Sequence, residues 1–488
     1  MNILVVTGKL AGNTVKASVR NMADVLVLDI EVAAFTTPAL LGRSLSPKKY
    51  DLILVPGLAS GDYSGLEIEL GIPIRLGPKH AVDLGFVLEL ADGFDFSSRI
   101  PACDLLIEKK RYNAFRRVNE LEESADSPLK LRKVKIGGNS RMKVMAEIVD
   151  AGSMNKSELT DRIIYFIECG ADIIDLGISL DTSRSAVRTA VETARSITNA
   201  PLSVDTLNPD SINAAIEAGI DIILSLNSEN IPFVNIGMAA GVIIPDRTDD
   251  LESLFDNMES ARILGIKNII ADPVLEPAGH GLTKSINRYY EFRKRDKTTP
   301  LFFGVGNVTE LIDADSIGIH SILSSIAMEL DASVLFTPEF SHKAHDSVNE
   351  LKTASIMMML SRDRKSAPKD LGIDMLVMKE KRRRAFGLIP ASCIEAKGSE
   401  KWHLDPAGCF KIETTGDEIH NGKLFPGKIV ARSNNDSIMG STARDILDTI
   451  IDHGLISRLD HAAYLGRELM KAEIALKIKR SYSQDDKF

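Results

Sequence analysis

Between residues 143 and 338, eight short apolar runs each lead, at or just past the last residue, to an acid or an amide: Asp150, Asp175, Asp205 with Thr206, Asn227, Asp246, Asp272, Asn307 and Glu339. One acid after a strand is commonplace, because it caps the next helix. Repeated along a parallel set of strands, the pattern gathers carboxylates and amides on one rim. A carboxylate presents two acceptor oxygens, which match two adjacent N–H donors of an amidine or guanidine edge. An amide such as Asn227 donates and accepts, and so serves the remaining heteroatoms of a ring. The expected ligand is a flat heterocycle with a 2-amino-4-oxo edge. Asp205 and Asp175 are the catalytic candidates; Asp272, Asn227, Asp246, Asn307 and Glu339 are the binding candidates. Asp272 is followed at once by Pro273, which stiffens the turn that carries it. Lys284, in PAGHGLTKS, is the nearest candidate cation for a phosphate. The plain alternative for Asp175 and Asp205 is helix capping, and for His280 in the same loop, solvent exposure.

Metal chemistry is the rival reading of an acidic rim. No HxH or HxxxH pair accompanies the acids, and His280, His320, His342 and His345 read as loop residues. No metal centre is therefore expected. The four cysteines are scattered without a close pair, which argues against a disulfide framework or a local zinc knuckle. A formal charge of -9 disfavours a broad nucleic-acid surface. The basic cluster KEKRRR at 379–384 reads as a solvated turn more readily than a phosphate site. The opening MNILVVTGKLAG reads as a strand and a glycine turn, not a leader, and the longest apolar stretches are strand length. The expectation is a cytoplasmic protein.

With 488 residues, more than one core is needed. Residues 1–125 carry NILVV, DVLVLDI, DLILVPG, IPIRLG and CDLLIEKKR, the pattern of a small open α/β domain of Rossmann or flavodoxin type. Its turns, Thr7-Gly8-Lys9-Leu10-Ala11-Gly12 and Pro56-Gly57-Leu58-Ala59-Ser60-Gly61, stand where such folds hold anions or ligands, and for the first a simple strand-to-helix turn is the favoured reading. Residues 138–362 alternate eight strand-like runs with helical stretches, as a closed (β/α)8 barrel requires. Helices are expected over 157–168, stopped at Gly170, and from Pro209 to Gly219. Residues 369–488 change to antiparallel runs followed by helices over 442–453 and 459–480, an α+β domain.

The middle segment resembles the pterin-binding family that includes dihydropteroate synthase and the methyltetrahydrofolate-type corrinoid methyltransferases. The matching pieces are ECGADIIDLG (168–177), PLSVDTLNPDSINAAIEAGIDIILSLN (201–227), ADPVLEPAGHGLTKS (271–285) and, more weakly, 329–357. The resemblance implies that Asp272 and Asn227 grip a pterin ring with Asp205 beside them. It implies a reduced pterin as substrate or carrier, no tightly bound cofactor, and magnesium only in company with a diphosphate substrate. The three-part layout is similar to archaeal synthase-related proteins that use methanopterin-type carriers. The stretch 454–485 is similar to part of the A subunit of tetrahydromethanopterin S-methyltransferase. Three departures stand out. IVDAGSMNKSE replaces the synthase Asn-Val-Thr-Pro-Asp-Ser-Phe loop, GVGNVTEL replaces its basic strand end, and LFTPEFSHK replaces its Arg-x-His ending. The activity this resemblance implies is a synthase-like joining of a pterin methyl group to an aryl amine. The alternatives are methyl transfer to a corrinoid partner, or a non-catalytic pterin scaffold; pairing of barrels as a homodimer is a further expectation.

Overall fold

The computed structural model describes residues 1–45, 50–235, 237–379, 392–398, 403–434 and 436–486. The chain divides into two compact units, Met1–Asn119 with Asp370–Ile373, and Glu120–Lys369 with Asp374–Phe488.

In the first unit, β1 (Ile3–Thr7), β2 (Asp24–Val27), β3 (Leu52–Val55) and β4 (Ile74–Leu76) form a parallel sheet in the order β2-β1-β3-β4. Alternate residues feed opposite faces. Leu4, Val6, Ile53 and Val55 enter one core, and Ile3, Val5, Leu52 and Leu54 the other. Two covered faces explain why these strands are continuously apolar. One expectation is corrected here. CDLLIEKKR is not a strand but part of the helix Ala102–Ser124, whose buried Ala102, Leu106, Ala114 and Val118 fall at multiples of four. The first glycine turn is not an open anion loop. A helix begins at Lys9, and its leading N–H groups are already taken, Lys9 N by the Ile30 carbonyl at 2.8 Å and Leu10 N by that of Glu31 at 3.2 Å. Gly8 is glycine because a Cβ there would lie 2.9 Å from backbone atoms of Ile30, Glu31 and Ala33.

The second unit holds the barrel. A short antiparallel hairpin, β5 (Leu129–Leu131) and β6 (Val134–Ile136), precedes eight parallel strands. These are β7 (Lys143–Ile148), β8 (Ile173–Gly177), β9 (Leu202–Asp205), β10 (Ile222–Leu226), β11 (Ala240–Ile243), β12 (Asn268–Ala271), β13 (Phe302–Phe303) and β14 (Val334–Thr337). Pairing runs β12-β11-β10-β9-β8-β7-β14-β13, and a parallel bridge from Ala271 to Leu301 joins the two ends. The expected (β/α)8 barrel is thus present. Met145, Ile173, Ile222, Leu224, Val242, Ile270, Phe302, Val334 and Phe336 fill its interior, and Leu129, Leu131 and Ile136 of the hairpin pack on them. The strands thereby rest on a dry apolar layer near their N-terminal ends.

Local sequence sets the helices between them. Asn155 and Glu158 make a reciprocal capping box for Lys156–Glu168, and Asn208 caps Pro209–Glu217 with proline at the first turn. Gly170 and Gly219 come after these helices at φ 98° and 88°, a conformation glycine adopts without a Cβ penalty. After the barrel, β15 (Lys411–Thr414), β18 (Ile429–Arg432) and β19 (Ser437–Gly440) form an antiparallel sheet, with the hairpin β16 (Glu418–His420) and β17 (Lys423–Phe425) beside it in sequence. Helices Ala443–Asp452 and Leu459–Lys477 complete this α+β region around Ile412, Ile429, Ile446, Leu465 and Leu469. Of the run DMLVMKEKRRRAF (374–386), read as one of the antiparallel strands, residues 374–379 form no strand and 380–386, with most of the basic cluster, lie outside the described residues.

Candidate functional site

Strand alternation decides which acids enter the barrel. Met145 on β7 and Ile173 on β8 point inward, so two residues further on Glu147 and Asp175 do too. The two are register partners, and Asp175 in turn pairs with Ser203 on β9, which puts Asp205 on the same inner face. Carboxylate oxygens of Glu147, Asp175 and Asp205 all lie within 4.8 Å of one another. Two hydroxyls hold the cluster: Ser203 Oγ donates to Asp175 Oδ1 at 2.5 Å, and Ser225 Oγ donates to Asp205 Oδ1 at 2.7 Å. Ser225 sits at φ 63°, where the pairing of β10 with β11 shifts register. Asp175 Oδ2 is buried without a hydrogen-bond partner among the described residues.

These carboxyls hold protons far more tightly than exposed ones. Burial, then the charges of Asp205 and Glu147, raise Asp175 well above the usual carboxylate range. Burial raises Asp205, partly offset by the Ser225 bond. Glu147 is pushed up to about 7 by burial and by Asp205, Asp150 and Glu310. Asp272, 9% exposed beyond β12, rises to about 6, because burial outweighs hydrogen bonds donated to its Oδ1 by Tyr289 Oη at 2.7 Å and Val274 N at 2.8 Å. Burial and mutual charge thus push all four carboxyls in the same direction, towards the protonated form.

Sequence reasoning missed Glu147, because attention to the last residue of each run pointed to Asp150. Asp150 instead lies outside the strand at φ 54°, accepting from Ser179 Oγ at 2.6 Å. The available signal was an acid on the inward parity of an otherwise apolar strand.

The remaining candidates disperse around the rim. Asn227 is half-buried after β10; its Oδ1 accepts from Glu229 N at 3.1 Å, while no partner is found for its amide nitrogen among the described residues. Asp246 is exposed and ties two loops, accepting from Ser228 N at 3.1 Å and Asn257 Nδ2 at 2.9 Å, bonds that lower its pKa. Asn307 is exposed and donates to the Leu275 carbonyl at 2.8 Å. Lys284 is exposed in the first turn of Leu282–Arg295. Glu339, at φ 44°, is buried and its carboxylate is consumed by Tyr165 Oη at 2.5 Å, Val348 N at 3.0 Å and His345 Nδ1 at 3.4 Å. It lines a cavity of about 350 Å³ with Glu147, Met154, Arg162, Phe340 and His345. His320 is not in a loop: it is buried within Ser316–Glu329, Nδ1 against Glu350 Oε2 at 2.7 Å.

The chain is 38% identical to the uncharacterized protein MJ0107 of Methanocaldococcus jannaschii, over 99% of this chain and 98% of that one. The chain belongs to the family of that archaeal protein. A family model described as PterinBD-DUF4346 matches residues 404–485, and one described as a family of unknown function, DUF6513, matches residues 1–79. A Ycf91-like protein of Nostoc is 38% identical over 68 residues, 13% of this chain and 54% of that protein. Among solved structures, Yersinia pestis dihydropteroate synthase with a pterine-sulfa conjugate is 18% identical, covering 48% of this chain and 99% of that one at a TM-score of 0.39. A Coxiella burnetii dihydropteroate synthase in complex with pteroic acid is 16% identical, covering 46% and 94% at 0.39. No helix among the described residues is long and apolar enough to cross a membrane.

Proposed function

We propose that the barrel binds a reduced pterin and acts on its side chain as a transferase resembling dihydropteroate synthase. The observation that carries the reading is Asp272. It is a nearly buried carboxyl inside the barrel mouth, held rigidly through Oδ1, whose Oδ2 has no hydrogen-bond partner among the described residues. A planar ring with adjacent N–H donors satisfies that oxygen and repays the burial of the charge. Asp205 lies close enough to raise the Asp272 pKa, and the open amide nitrogen of Asn227 supplies a donor at the same rim. In this reading Asp272 and Asn227 fix the ring, while Asp205 and Asp175 stabilise positive charge developing on the pterin methyl carbon.

A second reading, methyl transfer to a corrinoid protein, is favoured by one feature. Where the resembled synthases carry a basic strand end to hold diphosphate, β13 runs straight into the short helix Gly306–Thr309, and Asn307 is turned onto a backbone carbonyl. A leaving diphosphate needs cations or free N–H groups there. Calorimetric titration with reduced pterins, with and without a 6-methyl diphosphate, tests both. Asp272→Asn is expected to weaken pterin binding by about 100-fold, the cost of a lost charge-assisted pair. A further gain of affinity from the diphosphate selects the synthase reaction; equal affinity selects methyl transfer. No binding of any reduced pterin to the wild-type chain overturns the reading.

A further inference from the structure

We propose that Glu147, Asp175 and Asp205 hold a divalent cation of the magnesium and manganese class in the innermost polar layer of the barrel. Three carboxylates from three adjacent strands bring their oxygens within 4.8 Å of one another, and none of them is in an ion pair among the described residues. Asp175 is 0% exposed, yet its Oδ2 has no hydrogen-bond partner among the described residues. An orphaned oxygen in a dry barrel is costly unless something positive meets it. Glu147 makes no hydrogen bond among the described residues, and it reaches the cluster across Gly177, where a Cβ would sit 2.6 Å from its Oε1.

The donor set selects the ion. All three ligands are hard oxygens, and among the described residues no imidazole or thiolate joins the cluster, which suits magnesium, manganese or calcium over zinc or copper. Metal–oxygen distances of about 2.1 Å put three oxygens around one ion roughly 3.0–3.6 Å apart, so a bound ion draws this cluster in by about an ångström. Ser203 and Ser225 occupy one oxygen each of Asp175 and Asp205 and orient the other. That is how outer hydrogen bonds hold metal-binding carboxylates. Three protein ligands leave coordination positions for water or for a molecule in the barrel mouth. The site shares Asp175 and Asp205 with the pterin reading, and Glu147 is the ligand that reading does not use.

The test uses the full chain, freed of metal with a chelator, and Mn²⁺ as probe. Electron paramagnetic resonance titration is expected to give one bound Mn²⁺ per chain, displaced by excess Mg²⁺. Glu147→Gln and Asp175→Asn are expected to weaken binding by about 30-fold or more, each checked for fold by circular dichroism. Added Mn²⁺ is expected to raise the Tm of the wild type and not that of E147Q, which carries the test alone if D175N does not fold. Asp272→Asn is expected to weaken pterin binding by about 100-fold while one Mn²⁺ per chain is still bound, so failure of one reading is told from failure of the other. No Mn²⁺ binding by the wild type at millimolar concentration, or unchanged binding in E147Q, overturns the proposal.

Discussion

Glu147 and Asp272 make stability a function of pH with a defined sign. Each holds its proton more tightly folded than unfolded, at about 7 against 4.5 for Glu147 and about 6 against 3.8 for Asp272. Between the unfolded and folded values the native state binds more protons, so this contribution is fully present below the unfolded pKa and is lost as pH rises through the folded one. Without divalent cations, urea unfolding is expected to show a loss on the order of 2–4 kcal/mol between about pH 5 and 8. Glu147→Gln, a mimic of the protonated acid, is expected to shrink that loss and to be the more stable protein at about pH 8. A slope of opposite sign would remove the crowded carboxylates from the account. Legibility at this scale was uneven. Asp175, Asp205 and Asp272 were readable as acids at strand ends, whereas Glu339 and Asp246 share that signature and serve hydrogen bonds outside the carboxyl layer.

Element by element, what matters is parity and what closes each end of the barrel. A strand that alternates Met145, Glu147 or Ile173, Asp175 inward must place apolar side chains deep and acids at the mouth. At the opposite end, Asp172 just before β8 accepts from Arg141 Nη2 at 2.6 Å, Lys352 Nζ at 2.8 Å and Val144 N at 2.9 Å, which holds its pKa far below the usual range despite burial. Asp172→Ala leaves Arg141, itself 7% exposed, without its anion. The expected cost is about 3–5 kcal/mol, read by urea unfolding with pterin and Mn²⁺ affinities unchanged at low denaturant. Strand existence was legible from Val/Ile-rich runs and glycine stops. The bulge-like shift at Ser225 was not, since no local residue demands it.

On the scale of the whole molecule, separate apolar cores sit in one chain. The core around Phe410, Ile412, Ile446, Leu465 and Leu469 contains no residue of the barrel interior. Leu469 is 0% exposed, so Leu469→Ala is expected to cost about 2–5 kcal/mol of that region's stability. Calorimetric scanning should show one lowered transition while Mn²⁺ binding by the barrel persists; loss of both together would mean that the regions unfold as one. The three-part division of the sequence rested on changes of pattern, and the pattern misled where a helix was as apolar as a strand, as at CDLLIEKKR.

By itself the sequence determined the alternation of strands and helices, the caps, the covered sheet of the first unit, and the ring of acids and amides after the barrel strands. These arise from residue type and spacing within a few positions. The tertiary structure decided which acids meet. Closure of β12 onto Leu301 and the stagger of β7, β8 and β9 bring Glu147, Asp175 and Asp205, far apart in sequence, into one buried layer. Their proton affinities, and the ligand they demand, come from burial and mutual charge, quantities that no single stretch of sequence contains.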